Sequence, residues 1–165
     1  MRLHPVFALL VLTAACDPLF SLRLQQPLWP APTTVCLDSA VRRSPLVTRV
    51  VSASERHGVT RYSVALRDSS VPANYMPTLE IARPTPADPA VSTRITYYCA
   101  LSSRLPPATE KAVARVGAAV LEDLRQACAP TAKPGVTCEY TGFAAHGECR
   151  AAHLTIAEAD KAPFL

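Results

Sequence analysis

Six cysteines carry most of the chemistry available to this chain of 165 residues: Cys16, Cys36, Cys99, Cys128, Cys138 and Cys149. No two are spaced as CxxC, which speaks against a thioredoxin-like redox pair or a zinc ribbon. Cys138, His146, Cys149 and His153 have side chains that suit zinc, but their spacing fits no usual zinc motif. Thiols in an exported chain pair with each other by default. The stretch from Gly135 to Ile156 reads as two short strands joined by a Gly-containing loop. A register centred on Gly142–Ala145 sets Cys138 opposite Cys149, where strand geometry permits a bridge. A second bridge is expected from Cys36, to either Cys128 or Cys99. No metal and no cofactor are expected.

Other groups offer less chemistry. Glu122 and Asp123 are adjacent carboxylates, yet neighbouring helical positions point apart and both fall on the polar side of a predicted helix, so their expected role is structural or solvating. His57 lies at a predicted turn and reads as solvated. There is no Walker loop, GxGxxG, HExxH or GxSxG, and five glycines leave little material for phosphate-cradling loops. The chain is therefore not expected to be an enzyme, and a small hydrolase is the least favoured reading. Lys and Arg number 17 against 13 Asp and Glu, for a formal charge of +4. The basic residues are scattered, with no run longer than Arg42-Arg43, so a nucleic-acid partner is not expected.

The opening MRLHPVFALLVLTAAC has a positive charge at Arg2, an apolar run at Val6–Leu12 and small residues at Thr13-Ala14-Ala15. That is the pattern of an export leader. Its apolar part is about half the length needed to span a bilayer. Leu12-Thr13-Ala14-Ala15-Cys16 resembles the lipobox of bacterial lipoproteins, with Thr13 where an aliphatic residue is commoner. The resemblance covers the first 16 residues and implies removal of the leader, a diacylglyceryl group on the Cys16 sulfur and acylation of the new amino terminus. Two or three acyl chains would give the stable anchoring that one cannot. A lipid on Cys16 leaves five thiols, enough for two bridges with one over; an unlipidated Cys16 would allow three bridges. In enteric members of that class an Asp after the cysteine favours the inner membrane, as Asp17 would here.

The elements that must position these groups follow from periodicity and breakers. Residues 17–32 are apolar at Leu19, Phe20, Leu22, Leu24 and Leu28 but interrupted by Pro27, Pro30 and Pro32, which deny them a helix. Phe20 to Leu24 alternates like a strand, and the segment is expected to be juxtamembrane and partly docked. Thr33 or Thr34 can cap a short helix over Val35–Arg43, ended by Pro45. Two β-rich runs, Leu46–Ser52 and Val59–Arg67, flank a turn at His57-Gly58, and a second hairpin joins Thr78–Arg83 to Val91–Leu101 through a Pro-rich loop. Within that hairpin Tyr97 and Tyr98 must face opposite sides, one core and one outward. The longest helix follows Pro106-Pro107 and closes before Pro130, with Val113, Val116, Val120, Leu121, Leu124 and Cys128 on one side.

Helix, two hairpins, helix, hairpin predicts an α+β fold: a mainly antiparallel sheet of hairpins packed by one long and one short helix and stabilised by disulfides. The expected organisation is a signal peptide at 1–15, a lipid anchor and juxtamembrane segment at 16–32, and a single periplasmic domain at 33–165. The expected location is a bacterial cell membrane, lipid-anchored and facing the periplasm. The expected role is a non-catalytic binding or assembly module whose partner is another envelope protein. The alternative is an inhibitor or immunity protein against a toxin or hydrolase, with Arg61, Arg67 or Arg94 gathered on a charged surface.

Overall fold

The computed structural model describes residues 20–67, 77–99, 105–142 and 145–149. Nine elements follow one another: β1 (Phe20–Leu28), α1 (Thr34–Arg43), β2 (Val47–Arg56), β3 (Val59–Leu66), β4 (Thr78–Ala82), β5 (Val91–Cys99), α2 (Pro107–Cys128), β6 (Thr137–Gly142) and β7 (Ala145–Glu148). The strands form one sheet in the order β2-β3-β4-β5-β1-β6-β7, every neighbouring pair antiparallel. The α+β class, the three hairpins and the long and short helices are as the sequence predicts.

The position of β1 corrects the expected domain boundary at residue 33. The strand-like alternation and docking expected of this stretch go further than partial: Phe20–Leu28 is a strand within the sheet, paired along its whole length with β5 and over Ser21–Gln25 with β6. The cause is the apolar set Leu22, Leu24 and Leu28, all at 0–1% exposure. Each such leucine contributes about 2 kcal/mol by leaving water. Pro27 is tolerated because the β6 pairing has already ended at Gln25, so it has a strand on one side only. The folded unit therefore reaches back at least to Phe20.

Local chemistry fixes the other ends. The Thr33 hydroxyl caps α1 by accepting a hydrogen bond from Cys36 N–H at 3.2 Å. Pro107 opens α2 at its first position, where a missing N–H costs nothing. His57 and Gly58 have φ of 52° and 74°, the two left-handed positions of a two-residue hairpin turn between β2 and β3.

Both helices pack on one face of the sheet, over Leu22, Leu24, Ile95, Tyr97, Leu79, Tyr62 and Tyr140. Val113, Val120, Leu121 and Leu124 of α2 and Leu37 and Val41 of α1 complete this core. Gly117 lets α2 lie directly on it: a Cβ there would stand 2.9 Å from a Leu24 methyl and 3.4 Å from the Tyr97 ring. Disulfides join Cys36 to Cys128, tying α1 to α2, and Cys138 to Cys149, closing the last hairpin, with Cα separations of 5.8 and 5.5 Å. Gly142 pairs with Ala145, the register that places the second bridge.

One expectation about α2 fails. Glu122 is buried rather than on the solvated side. Arg125 grips it with two hydrogen bonds, of 2.8 and 2.5 Å, and also donates to the carbonyls of Pro130 and Ala132 at 2.9 and 3.1 Å. A buried carboxylate is tolerable when a bidentate guanidinium meets it. Arg125 thereby ties the last turns of α2 to the loop that leads into β6.

Candidate functional site

Strand alternation sends a second set of side chains to the face that α1 and α2 leave free, and no described helix or strand packs there. Arg61 of β3, Glu80 of β4, Arg94 of β5 and Gln25 of β1 stand in one row across four strands. Arg61 Nε donates to Glu80 Oε1 at 2.7 Å, Arg94 Nη1 to Glu80 Oε2 at 3.3 Å, and Arg94 Nη2 to Gln25 Oε1 at 3.5 Å. The Glu80 side chain is 10% exposed beneath two cations, of which Arg61 is 60% exposed. The next row runs Ser63, Thr78, Thr96, Arg23 and Glu139. Tyr98 lies beyond it, opposite Ser21, and is 49% exposed. Its neighbour Tyr97 is in the core, as the strand period requires.

Three buried polar atoms on this face have no hydrogen-bond partner: Arg23 Nε, Arg94 Nε and Ser92 Oγ. They sit on adjacent strands, β1 and β5. An unmet buried donor costs about 1–3 kcal/mol, and more when charged. These atoms are closed to solvent; what acceptor groups such as carboxylates can reach on this face is the exposed part of the row, Arg61 above all. Arg23, Arg61 and Arg94 against Glu80 and Glu139 leave one cation in excess among these five residues.

The sequence candidates are distributed as follows. Arg61 and Arg94 come together on Glu80, while Arg67, exposed just beyond the end of β3, stands outside the row. Cys36, Cys128, Cys138 and Cys149 are all consumed in disulfides, with Cys128 rather than Cys99 completing the first. Two of the four conceivable zinc ligands are thereby one covalent pair. Cys99 closes β5 opposite Phe20, and His146 lies in β7 opposite Thr141. Cys16, Asp17 and His153 lie outside the described residues. His57 is exposed at its turn. Trp29, at the far end of β1, and Val35, near the start of α1, are 59% and 78% exposed. Glu80, Gln25, Arg23 and Ser92 were not singled out by the sequence; a strand's alternation marks each as facing away from the leucines, but only the register brings them together.

The remaining perturbed groups are structural. Arg42 holds the Asp38 carboxyl below its usual range through a 3.0 Å hydrogen bond. The Tyr62 hydroxyl donates to Asp38 at 3.0 Å, and burial, with that bond, pushes it up to about 12. Arg125 likewise lowers Glu122, whereas burial raises Asp123 although the Ser44 hydroxyl donates to it at 2.9 Å. Asp38–Tyr62 ties α1 to the sheet, and Ser44–Asp123 ties the end of α1 to α2.

Among the described residues no group of three or more His, Cys, Asp or Glu is placed to hold a metal ion. None of their helices is long and apolar enough to cross a membrane. No family model, curated protein or solved structure matches the chain.

Proposed function

We propose that this protein is a lipid-anchored, non-catalytic module of the bacterial cell envelope that binds another envelope protein through the helix-free face of its sheet. The observation that carries the reading is the charged row Arg61–Glu80–Arg94 on a face that no described helix or strand covers, with one cation in excess among Arg23, Arg61, Arg94, Glu80 and Glu139. A partner offering carboxylates would pair with the exposed guanidinium of Arg61 and the partly exposed Arg94, and rim charges of this kind speed encounter and fix register. The leader and Cys16 supply the location, on the membrane and facing the periplasm, with Asp17 pointing to the inner membrane. Two disulfides suit an oxidising space.

A photo-crosslinking residue at Thr78, on the outer face, tests this in intact envelopes, with Lys111 on the exposed side of α2 as control. One adduct specific to Thr78, weakened by Arg23→Gln or Arg94→Gln at unchanged thermal stability, is the expected outcome. Equal labelling from both positions, or no reproducible adduct, contradicts it.

A second reading has one observation in its favour. Arg61 and Arg94 do gather on one face, as an inhibitor or immunity protein aimed at an acidic surface would require. A secreted toxin or hydrolase encoded beside this protein, and inhibited by it in a purified assay, would decide for that role.

A further inference from the structure

The sheet ends on one side at β2, whose outer edge is bare: among the described residues β3 is the only strand that pairs with it. Its two register shifts, at Thr48 and Val51, fall in the first half, and from Ser52 to Arg56 the pairing with β3 is unbroken. Bulges blunt an edge against further pairing, so the regular half is the part still able to pair. The direction of its backbone groups follows from β3. Val64 N–H donates to Pro77 C=O at 3.2 Å, on the β4 side, so by alternation Ser63, Arg61 and Val59 turn their backbone groups towards β2. Ser52, Ser54 and Arg56 are opposite those three and bond inward, which leaves the N–H and C=O of Ala53 and Glu55 pointing out from the edge. Every residue from Val51 to Arg56 is exposed.

We propose, resting on the binding role given above, that the envelope partner adds an extended strand to the Ser52–Arg56 edge, with acidic side chains at alternate positions on the helix-free side. In strand addition the main chain supplies affinity and every second side chain supplies specificity. Charge decides which side chains fit. Arg49, Ser54 and Arg56 are opposite Ala65, Arg61 and Val59, so all three arginines project on the helix-free side of the β2–β3 ribbon, where neither strand carries an acid. Glu55, the ribbon's one carboxylate, projects on the other side and is held by Arg83. Arg49 and Arg56 are exposed and make no ion pair among the described residues. An incoming residue opposite Ser54 has Arg56 as a diagonal neighbour at about 7–8 Å and Arg61 about 10 Å away across β2, both within reach of a Glu side chain meeting a guanidinium. The row Arg61–Glu80–Arg94 thereby continues onto the added strand. A second copy paired antiparallel along the same edge would bring its own Arg56 and Arg61 to that side, setting like charges together.

Ala53→Pro removes an outward N–H and leaves the β2–β3 bonds intact, a change that an edge strand tolerates. In intact envelopes the Thr78 photo-adduct is expected to fall several-fold in Ala53→Pro at unchanged melting temperature. On the protein purified from its membrane, the probes are the acidic peptide TEVEVET and the same peptide N-methylated throughout its backbone, which keeps the charge and removes the donors. The parent peptide is expected to slow hydrogen exchange at the Ala53 and Glu55 amides. Methylation is expected to weaken binding about tenfold, the worth of one or two backbone hydrogen bonds. A Thr78 adduct unchanged by Ala53→Pro overturns strand addition and leaves the binding face standing. A methylated peptide bound as tightly as its parent, protection absent from Ala53 and Glu55, or no binding of the parent peptide overturns strand addition as well. Should Thr78 give no adduct even without the substitution, the envelope-binding reading fails; in that case, or if Ala53→Pro melts lower, the peptide measurement alone decides for or against the edge.

Discussion

Removing the Cys36–Cys128 bridge is expected to cost more stability than removing Cys138–Cys149, although both join residues of similar Cα spacing. The reason lies in the unfolded chain. The first bridge closes a loop with a sequence separation of 92 and the second one of 11. Loop-closure entropy then gives about 4.6 kcal/mol for the first and about 2.8 kcal/mol for the second, as upper values that native-state relaxation reduces. The structure sharpens the contrast. Cys36–Cys128 fastens α1 to α2 over the core, so its loss loosens the layer that covers the sheet. Cys138–Cys149 closes the hairpin at one edge of the sheet, where four-residue β7 is the last strand. The assay is urea unfolding of the leaderless chain carrying Cys16→Ser, alone and with Cys36→Ala/Cys128→Ala or Cys138→Ala/Cys149→Ala. The expected result is a lower midpoint for both double variants, with the larger drop for the helix bridge. Equal losses, or a larger loss for the hairpin bridge, would refute the loop-entropy argument for this fold.

Other perturbations have defined outcomes. Arg125→Ala strips Glu122 of its cation and frees two loop carbonyls, so a loss of about 3–5 kcal/mol is expected, and Arg125→Lys should not restore it because the grip is bidentate. Urea titration of each variant measures this. Because the Glu122 pKa is lowered in the fold, its contribution is present above the ordinary carboxyl value of 4.5 and is lost as pH falls below it; Glu122→Gln should flatten that part of the stability–pH curve. Tyr62 has the opposite sign. With its folded value raised from 10.0 to about 12, its neutral form stabilises fully below pH 10 and that contribution disappears as pH climbs towards 12, a decline that Tyr62→Phe should abolish in thermal melts across this range. Gly117→Ala gains about 1 kcal/mol of helix propensity but thrusts a methyl to 2.9 Å from Leu24. Overpacking costs about 1–3 kcal/mol. The net expectation is a modestly lower melting temperature, with a far larger drop for Gly117→Val.

Much of the fold was legible because it is local. The Gly142–Ala145 register, the Thr33 cap, the His57-Gly58 turn and the apolar side of α2 are each set by residues near one another in sequence. The two failures have a common cause. β1 shows its alternation from Phe20 to Leu24, which predicts a partly docked strand, but its neighbours β5 and β6 come from far along the chain, so the pattern alone starts the domain at residue 33. Glu122 sits at a helical position that the polar pattern assigns to solvent, yet it is drawn inward by Arg125 three residues on and by fully buried Gln26 on β1. The candidate face was half visible: Arg61 and Arg94 stood out as cations, while Glu80 and Arg23 join them only once the registers of β3, β4, β5 and β1 are fixed. Long-range pairing is what a single strand's pattern does not encode.

Lipid on Cys16 is read out by the intact mass of the protein extracted from its native membrane. The expected species is a chain that begins at Cys16, carries a diacyl or triacyl adduct and lacks the hydrogens of two disulfides. An unmodified mature chain, with Cys16 joined in a third bridge, would contradict it.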